Sequence, residues 1–137
     1  MAPDDESRLF APADTAHTPR VLVIAEIGVN HDGDVGRADQ LLHAAADAGA
    51  NAIKLQLFRP DRLLSAAARL ATYQNGQADD AYALLDALTL PLDHMADLRA
   101  TAKALGLQFI VTPFSLGDVT DLAALNVDAV KIASPDA

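Results

Sequence analysis

The chain has 137 residues, which suits one domain, and 51% of them are hydrophobic, which excludes wholesale disorder. Its net charge of −9 argues against nucleic acid or an anionic membrane as a partner, and no apolar run approaches the ~20 residues of a membrane span. The sequence has no cysteine, which excludes disulfides and thiolate metal sites and fits a cytoplasmic protein.

Apolar runs alternate with segments of helical periodicity along most of the chain. Residues 1–19 contain three prolines and little apolar pattern, so they predict a flexible leader before a domain at 20–137. Strands that alternate with helices imply a parallel sheet with crossover helices, an α/β fold. The predicted strands are 21–31, 52–58, 108–114 and 129–134, and the predicted helices are 37–48, 78–88, one from Pro91 to Gly106 and one after a cap formed by Ser115 and Asp118.

Polar residues interrupt each of the four strands near its carboxyl end. An unpaired charge in a buried strand costs several kcal/mol, and the carboxyl ends of parallel strands are where ligands bind. Because ammonium, amide and hydroxyl groups suit phosphate or carboxylate, the pattern predicts an anion site. The interrupting residues are Glu26 in the first strand, Lys54 and Gln56 in the second, Thr112 in the third, and Lys131 and Ser134 in the fourth.

Strand parity places these polar side chains on one face, because residues two apart point the same way. The opposite face would then turn Val21, Val23, Ala25, Ile53, Leu55, Leu57, Phe109 and Val111 toward the helices. An alternative without a ligand is that Lys54 and Lys131 extend past the strand ends and pair with Glu26 or other neighbours. His31 lies just after the first strand, where it would either touch a ligand or hydrogen-bond a turn.

Four motifs in order make the chain resemble the N-terminal half of the sialic acid synthase family. They are AEIGVNHDG (25–33), AIKLQLF (52–58), VTPF (111–114) and KIAS (131–134). The resemblance implies the first half of a (β/α)8 TIM barrel, with four of its strands present. It also implies a transferase lineage that condenses phosphoenolpyruvate (PEP) with an N-acylated amino sugar, such as N-acetylmannosamine, and releases phosphate.

The resemblance also implies roles for individual residues. Glu26 would sit over the reacting carbons, and Asn75 would touch the sugar. After KIAS the family continues with Gly-Glu, whereas this chain has Pro135 and Asp136, so a catalytic carboxylate would be one methylene shorter. The family uses a divalent metal (Mn²⁺ or Mg²⁺), whose ligands belong to later strands that this chain does not contain. The PEP-binding residues would be Lys54, Gln56, Thr112, Lys131 and Ser134.

The length of the chain leaves three explanations open, because a complete barrel takes about 250 residues. The chain could be a fragment of a longer synthase that also carries a C-terminal antifreeze-like domain, and would then be inactive alone. It could close a barrel by pairing with a copy of itself or with a second half. It could also form an open flavodoxin-like sheet that binds anions without catalysis.

Overall fold

The computed structural model describes residues 21–64 and 78–137. The predicted leader at 1–19 and the sugar-binding candidate Asn75 lie outside these residues. Within the two described ranges, no helix is long and apolar enough to cross a lipid bilayer.

All four predicted strands and the predicted helices are present. The strands are β1 (Ile24–Gly28), β2 (Ala52–Leu57), β3 (Gln108–Pro113) and β4 (Ala129–Val130). The helices are α1 (Val35–Asp47), α2 (Pro60–Leu63), α3 (Ala78–Ala87), α4 (Leu92–Ala104) and α5 (Leu116–Leu125), and a 3₁₀ turn follows at Ser134–Asp136.

The strand β1 begins three residues later than predicted, at Ile24. Just before it, the Val23 amide donates a hydrogen bond to the Asn51 side chain (2.9 Å), and the Val23 carbonyl accepts one from the Asn51 amide (2.9 Å). A side chain therefore replaces the strand ladder at this point. The strand β4 is also shorter than predicted, with ladder pairing only at Ala129 and Val130.

The four strands lie side by side in their sequence order, β1-β2-β3-β4, and every neighbouring pair is parallel. Successive βα units of a barrel produce this order, whereas a flavodoxin-like sheet has the order 2-1-3-4-5. The described strands are therefore arranged as the first half of a barrel, as predicted, and not as a doubly wound open sheet.

The hydrophobic core lies between one face of the sheet and the helices. The parity prediction is confirmed for β2 and β3, because Ile53, Leu55, Phe109 and Val111 are fully buried and pack in one cluster with residues of α1 and α4. It is wrong for Val21 and Val23, which are 84% and 52% exposed. Both residues precede β1 and lie outside the core cluster that the described residues form.

The turn after β1 packs against the end of α3 at Gly33. This residue has a positive φ (+73°), and a Cβ there would overlap the Ala87 carbonyl oxygen. Asp34 then caps α1, because its side chain accepts a hydrogen bond from the Arg37 amide (2.8 Å). A glycine in the turn thus lets α3 approach the strand that carries Glu26.

Candidate anion-binding site

Three of the predicted site residues are joined directly across neighbouring strands. Glu26 on β1 is in register with Lys54 on β2, and the Lys54 Nζ lies 2.6 Å from the Glu26 Oε2. The same ammonium donates a longer hydrogen bond of 3.4 Å to the Thr112 Oγ1 on β3. The alternative that Lys54 pairs with Glu26 is therefore part of the structure. Lys54 is 16% exposed and Glu26 is 51% exposed, so the pair lies where the sheet meets solvent.

Gln56, Thr112 and Lys131 form a second row beside this pair. Gln56 is in register with Thr112, which is only 2% exposed. The β3–β4 register pairs Ile110 with Ala129, so its continuation by two residues sets Lys131 opposite Thr112. The Lys131 amide donates to the Val111 carbonyl (3.0 Å), which keeps this alignment beyond the end of β4. Neighbouring strands are about 4.8 Å apart, so the two rows form one polar strip across the sheet.

A β-bulge in β1 shapes the edge of this strip. The register with β2 shifts between Glu26 and Gly28, and Gly28 has a positive φ (+52°). A Cβ at Gly28 would lie 3.1 Å from the Glu26 Oε1 and 3.5 Å from the Gln56 Nε2. The missing side chain therefore leaves room for both polar groups, and bulges are frequent beside active sites.

The two lysines of the strip differ in electrostatic environment. Glu26 neutralises Lys54, whereas Lys131 is exposed and no ion pair joins it to a carboxylate within the described ranges. Ser134 and Asp136 are exposed on the 3₁₀ turn after β4, on the same carboxyl side of the sheet. Among the described residues, no hydrogen bond links either of these side chains to Lys54 or Glu26.

His31 is buried in the turn after β1 and is 1% exposed. Its Nδ1 accepts a hydrogen bond from the Gly33 amide (3.0 Å), which is the turn-bonding alternative considered for this residue. Burial lowers the pKa of His31, although a hydrogen bond with the Gly28 backbone and the charge of Asp32 act in the opposite direction. The neutral ring thus supports the turn from inside.

An ionic cluster that the sequence analysis missed joins the segments after β2 and β3. The Arg62 Nη1 lies 2.8 Å from the Asp118 Oδ1 and 2.9 Å from the Asp121 Oδ2, and Asp118 is fully buried. Hydrogen bonds with Asp118 and then with Asp121 raise the pKa of Arg62. A Cβ on Gly117 would lie 2.8 Å from the Arg62 guanidinium, so this glycine admits the arginine.

The sequence shows the charged residues of this cluster but not their pairing. Two arginines stand three residues apart after β2, at Arg59 and Arg62, and two aspartates stand three apart after β3. Their pairing depends on how α2 and α5 pack in the fold, which this spacing alone does not specify. The aromatic rings of Phe58 and Phe114 join the same two segments, with an edge-to-face contact and centroids 6.1 Å apart.

The described residues do not fit a divalent metal. No group of three His, Cys, Asp or Glu side chains in the two described ranges could hold an ion. We therefore derive no step of the chemistry through a metal.

Comparison with known proteins places the chain in a family. The sequence pattern of the NeuB family matches residues 41–137, which include every site candidate except Glu26. The chain belongs to the NeuB family. The predicted resemblance to sialic acid synthases is confirmed at this level.

Relatives of this NeuB-family chain include a legionaminic acid synthase and a sialic acid synthetase. The N,N'-diacetyllegionaminic acid synthase of Legionella pneumophila is 37% identical over 115 residues, which cover 82% of this chain and 32% of the relative. The crystal structure of an N-acetylneuraminic acid (sialic acid) synthetase from Leptospira borgpetersenii, in complex with citrate, is 30% identical and superposes with a TM-score of 0.70. That match covers 86% of this chain and 38% of the other.

A spore coat polysaccharide biosynthesis protein of Bacillus subtilis has a similar structure. It is 31% identical with a TM-score of 0.62, over 83% of this chain and 29% of that protein. The NeuB-family chain thus spans about a third of the length of the curated relatives that it matches.

Proposed function

We propose that this NeuB-family chain supplies the PEP-binding strands of a nonulosonic acid synthase. The reaction would condense PEP with an N-acylated amino sugar and release phosphate, in the cytoplasm. Membership of the NeuB family and the similarity to a legionaminic acid synthase and a sialic acid synthetase support the reaction class.

The observation that carries the proposal is the polar strip at the carboxyl edge of the sheet. Two adjacent rows contain Lys54 and Gln56 on β2, Thr112 on β3, and Lys131 just after β4. PEP carries a phosphate and a carboxylate, and two lysines separated by amide and hydroxyl donors can bind both groups. Ser134, on the following turn, would add a hydroxyl donor to the same anion.

The proposed chemistry assigns Glu26 to the reacting carbons. The enol carbon of PEP attacks the aldehyde carbon of the open-chain sugar, which leaves a cationic C2. Water adds to C2 and loses one proton, which the alkoxide formed from the aldehyde oxygen takes up. Cleavage of the bond between C2 and the phosphate oxygen then releases hydrogen phosphate, which carries the second proton of that water, and leaves the keto acid. A carboxylate on the strand beside Lys54 would stabilise the cation or orient the water, and Asp136 is a second candidate for this role.

The contact with the acceptor sugar and the activity of the isolated polypeptide belong to the same proposal. Asn75 is the proposed contact to the amino sugar. We expect no turnover from the 137-residue polypeptide alone, because the described residues offer no metal site and the matched relatives are about three times longer. Formation of a keto sugar acid by the purified 137-residue polypeptide would contradict this part of the proposal.

The test is calorimetric titration of the chain with PEP, for the wild type and two lysine variants. Lys54→Met removes the central cation, and we expect PEP affinity to fall about tenfold or more, as for a lost charge-assisted hydrogen bond. Lys103→Met is the matched control, because this exposed lysine lies in the last turn of α4, before the amino end of β3. Equal affinities for Lys54→Met and wild type would contradict the proposal.

A second candidate function is an anion-binding half-barrel that pairs with another half or with a second copy. The apolar residues at the two outer strands favour it: Val21 is 84% exposed beside β1, and Ile132 is 59% exposed beside β4. Unpaired strand edges promote such association. Sedimentation velocity over a concentration series distinguishes the cases, since a stable monomer would contradict pairing of two copies.

A further inference from the structure

We propose that Glu26 sets the anion affinity of the polar strip by competing with the ligand for Lys54. This inference rests on the proposed function, because it concerns the same site. The Glu26 carboxylate lies on Lys54, at 2.6 Å, in the way that an anionic oxygen of a ligand would. A ligand must therefore displace this carboxylate or bind beside it.

The existing contacts of the Lys54 ammonium limit how an anionic ligand can bind to it. An ammonium has three N–H groups; one donates to Thr112, and the Glu26 carboxylate occupies a further side of the same ammonium at 2.6 Å, which leaves limited room for a ligand. The side chain is only 16% exposed, so few directions of approach remain open. An anion that contacts Lys54 while Glu26 stays in place would lie within a few ångströms of the Glu26 carboxylate, and like charges at that separation repel.

The surroundings of Glu26 allow the carboxylate to move aside. Glu26 is 51% exposed, and its other oxygen, Oε1, lies against Gly28, where a Cβ would come within 3.1 Å. The glycine thus leaves space around the carboxylate, and no second cation holds it in the described part of the chain. Displacement would leave Glu26 next to the ligand and available for chemistry.

The two lysines consequently have different functions in binding. Lys131 is exposed and unpaired within the described residues, so it can bind the first anionic group of a ligand at little cost. Lys54 becomes available only when Glu26 gives way. A ligand with two anionic groups can use both lysines.

The experiment is titration of the chain with inorganic phosphate, followed by calorimetry and by ³¹P line broadening. Glu26→Gln keeps the shape of the side chain but removes the charge, and we expect phosphate to bind about tenfold more tightly, or about 1.4 kcal/mol. Asp47→Asn is the matched control, because it changes the net charge equally at an exposed residue at the end of α1. We expect this control to bind phosphate within about twofold of the wild type.

A double variant shows whether Lys54 is the competed group. In a Lys54→Met background, the gain from Glu26→Gln should disappear, because the lysine that Glu26 blocks is gone. If Glu26→Gln does not fold, as judged by circular dichroism, Glu26→Asp replaces it. The shorter arm retracts the carboxylate from Lys54, and phosphate should then bind several-fold more tightly than to wild type.

The possible outcomes separate this inference from the proposed function. Equal or weaker phosphate binding by Glu26→Gln, with clear binding by wild type, overturns the competition and leaves the anion site standing. Tighter binding that persists without Lys54 also overturns it. No binding of phosphate or PEP by any variant overturns the anion site and the competition with it.

Discussion

Gly33 offers the sharpest test of how the turn after β1 is built. An alanine here must adopt a positive φ of +73°, and its Cβ would overlap the carbonyl oxygen of Ala87 at the end of α3. The overlapping atom belongs to the backbone, so relief requires movement of the turn or of the helix. Gly49 is the matched control, because it has a similar φ (+81°) and a Cβ added there would meet no atom within 4 Å.

The expected losses of stability follow from the positive φ and from the overlap with the Ala87 carbonyl oxygen. Both variants place an alanine in the left-handed conformation, which lowers the free energy of unfolding by about 1–2 kcal/mol. Overpacking adds about 1–3 kcal/mol only at Gly33, so we expect losses in the free energy of unfolding of about 2–5 kcal/mol for Gly33→Ala and about 1–2 kcal/mol for Gly49→Ala. Domains are stable by only about 5–15 kcal/mol, so the first variant should be visibly weakened.

Urea unfolding followed by circular dichroism measures both losses, and hydrogen exchange locates them. We expect the amides of α3 (Ala78–Ala87) to exchange faster in Gly33→Ala and to be unchanged in Gly49→Ala. Equal losses of stability in the two variants would show that α3 does not rest on Gly33 and would refute the packing argument.

Two further predictions concern pH and the ionic cluster. Burial lowers the pKa of His31 below 6.5, so the unfolded chain binds the proton more readily and stability falls as the pH drops below about 6.5. Urea unfolding at pH 7.5 and 5.5 measures the free energy of unfolding, which should fall more between these pH values for wild type than for His31→Gln, by at most about 1.4 kcal/mol per pH unit. Equal falls in the two proteins would contradict a neutral buried ring. Arg62→Met strands the buried Asp118 carboxylate, so the amides of α5 should exchange faster, whereas Arg37→Met breaks an exposed pair with Asp32 and should leave them unchanged. Unchanged exchange in Arg62→Met would contradict a supporting role for the cluster.

The sequence predicted the members of the candidate site, but it offered the pairing of Lys54 with Glu26 only as one alternative. Polar residues near the ends of apolar strands identified Glu26, Lys54 and Thr112, because period-two alternation alone assigns them to one face. The ion pair between Glu26 and Lys54 depends on the parallel register of β1 with β2, which involves residues 28 positions apart. A one-residue slip of β2 would turn Lys54 to the opposite face of the sheet and break the pair.

The amino-acid pattern by itself determined the order of the strands and helices, their parallel arrangement and the family to which the chain belongs. Those features follow from local periodicity and from short motifs, which are legible along a single chain. Only the tertiary structure decided which carboxylate neutralises Lys54, that Arg62 reaches the buried Asp118, and that Val21 and Val23 stay outside the core. These outcomes depend on contacts between segments distant in sequence, whose energies are set by burial and distance after folding.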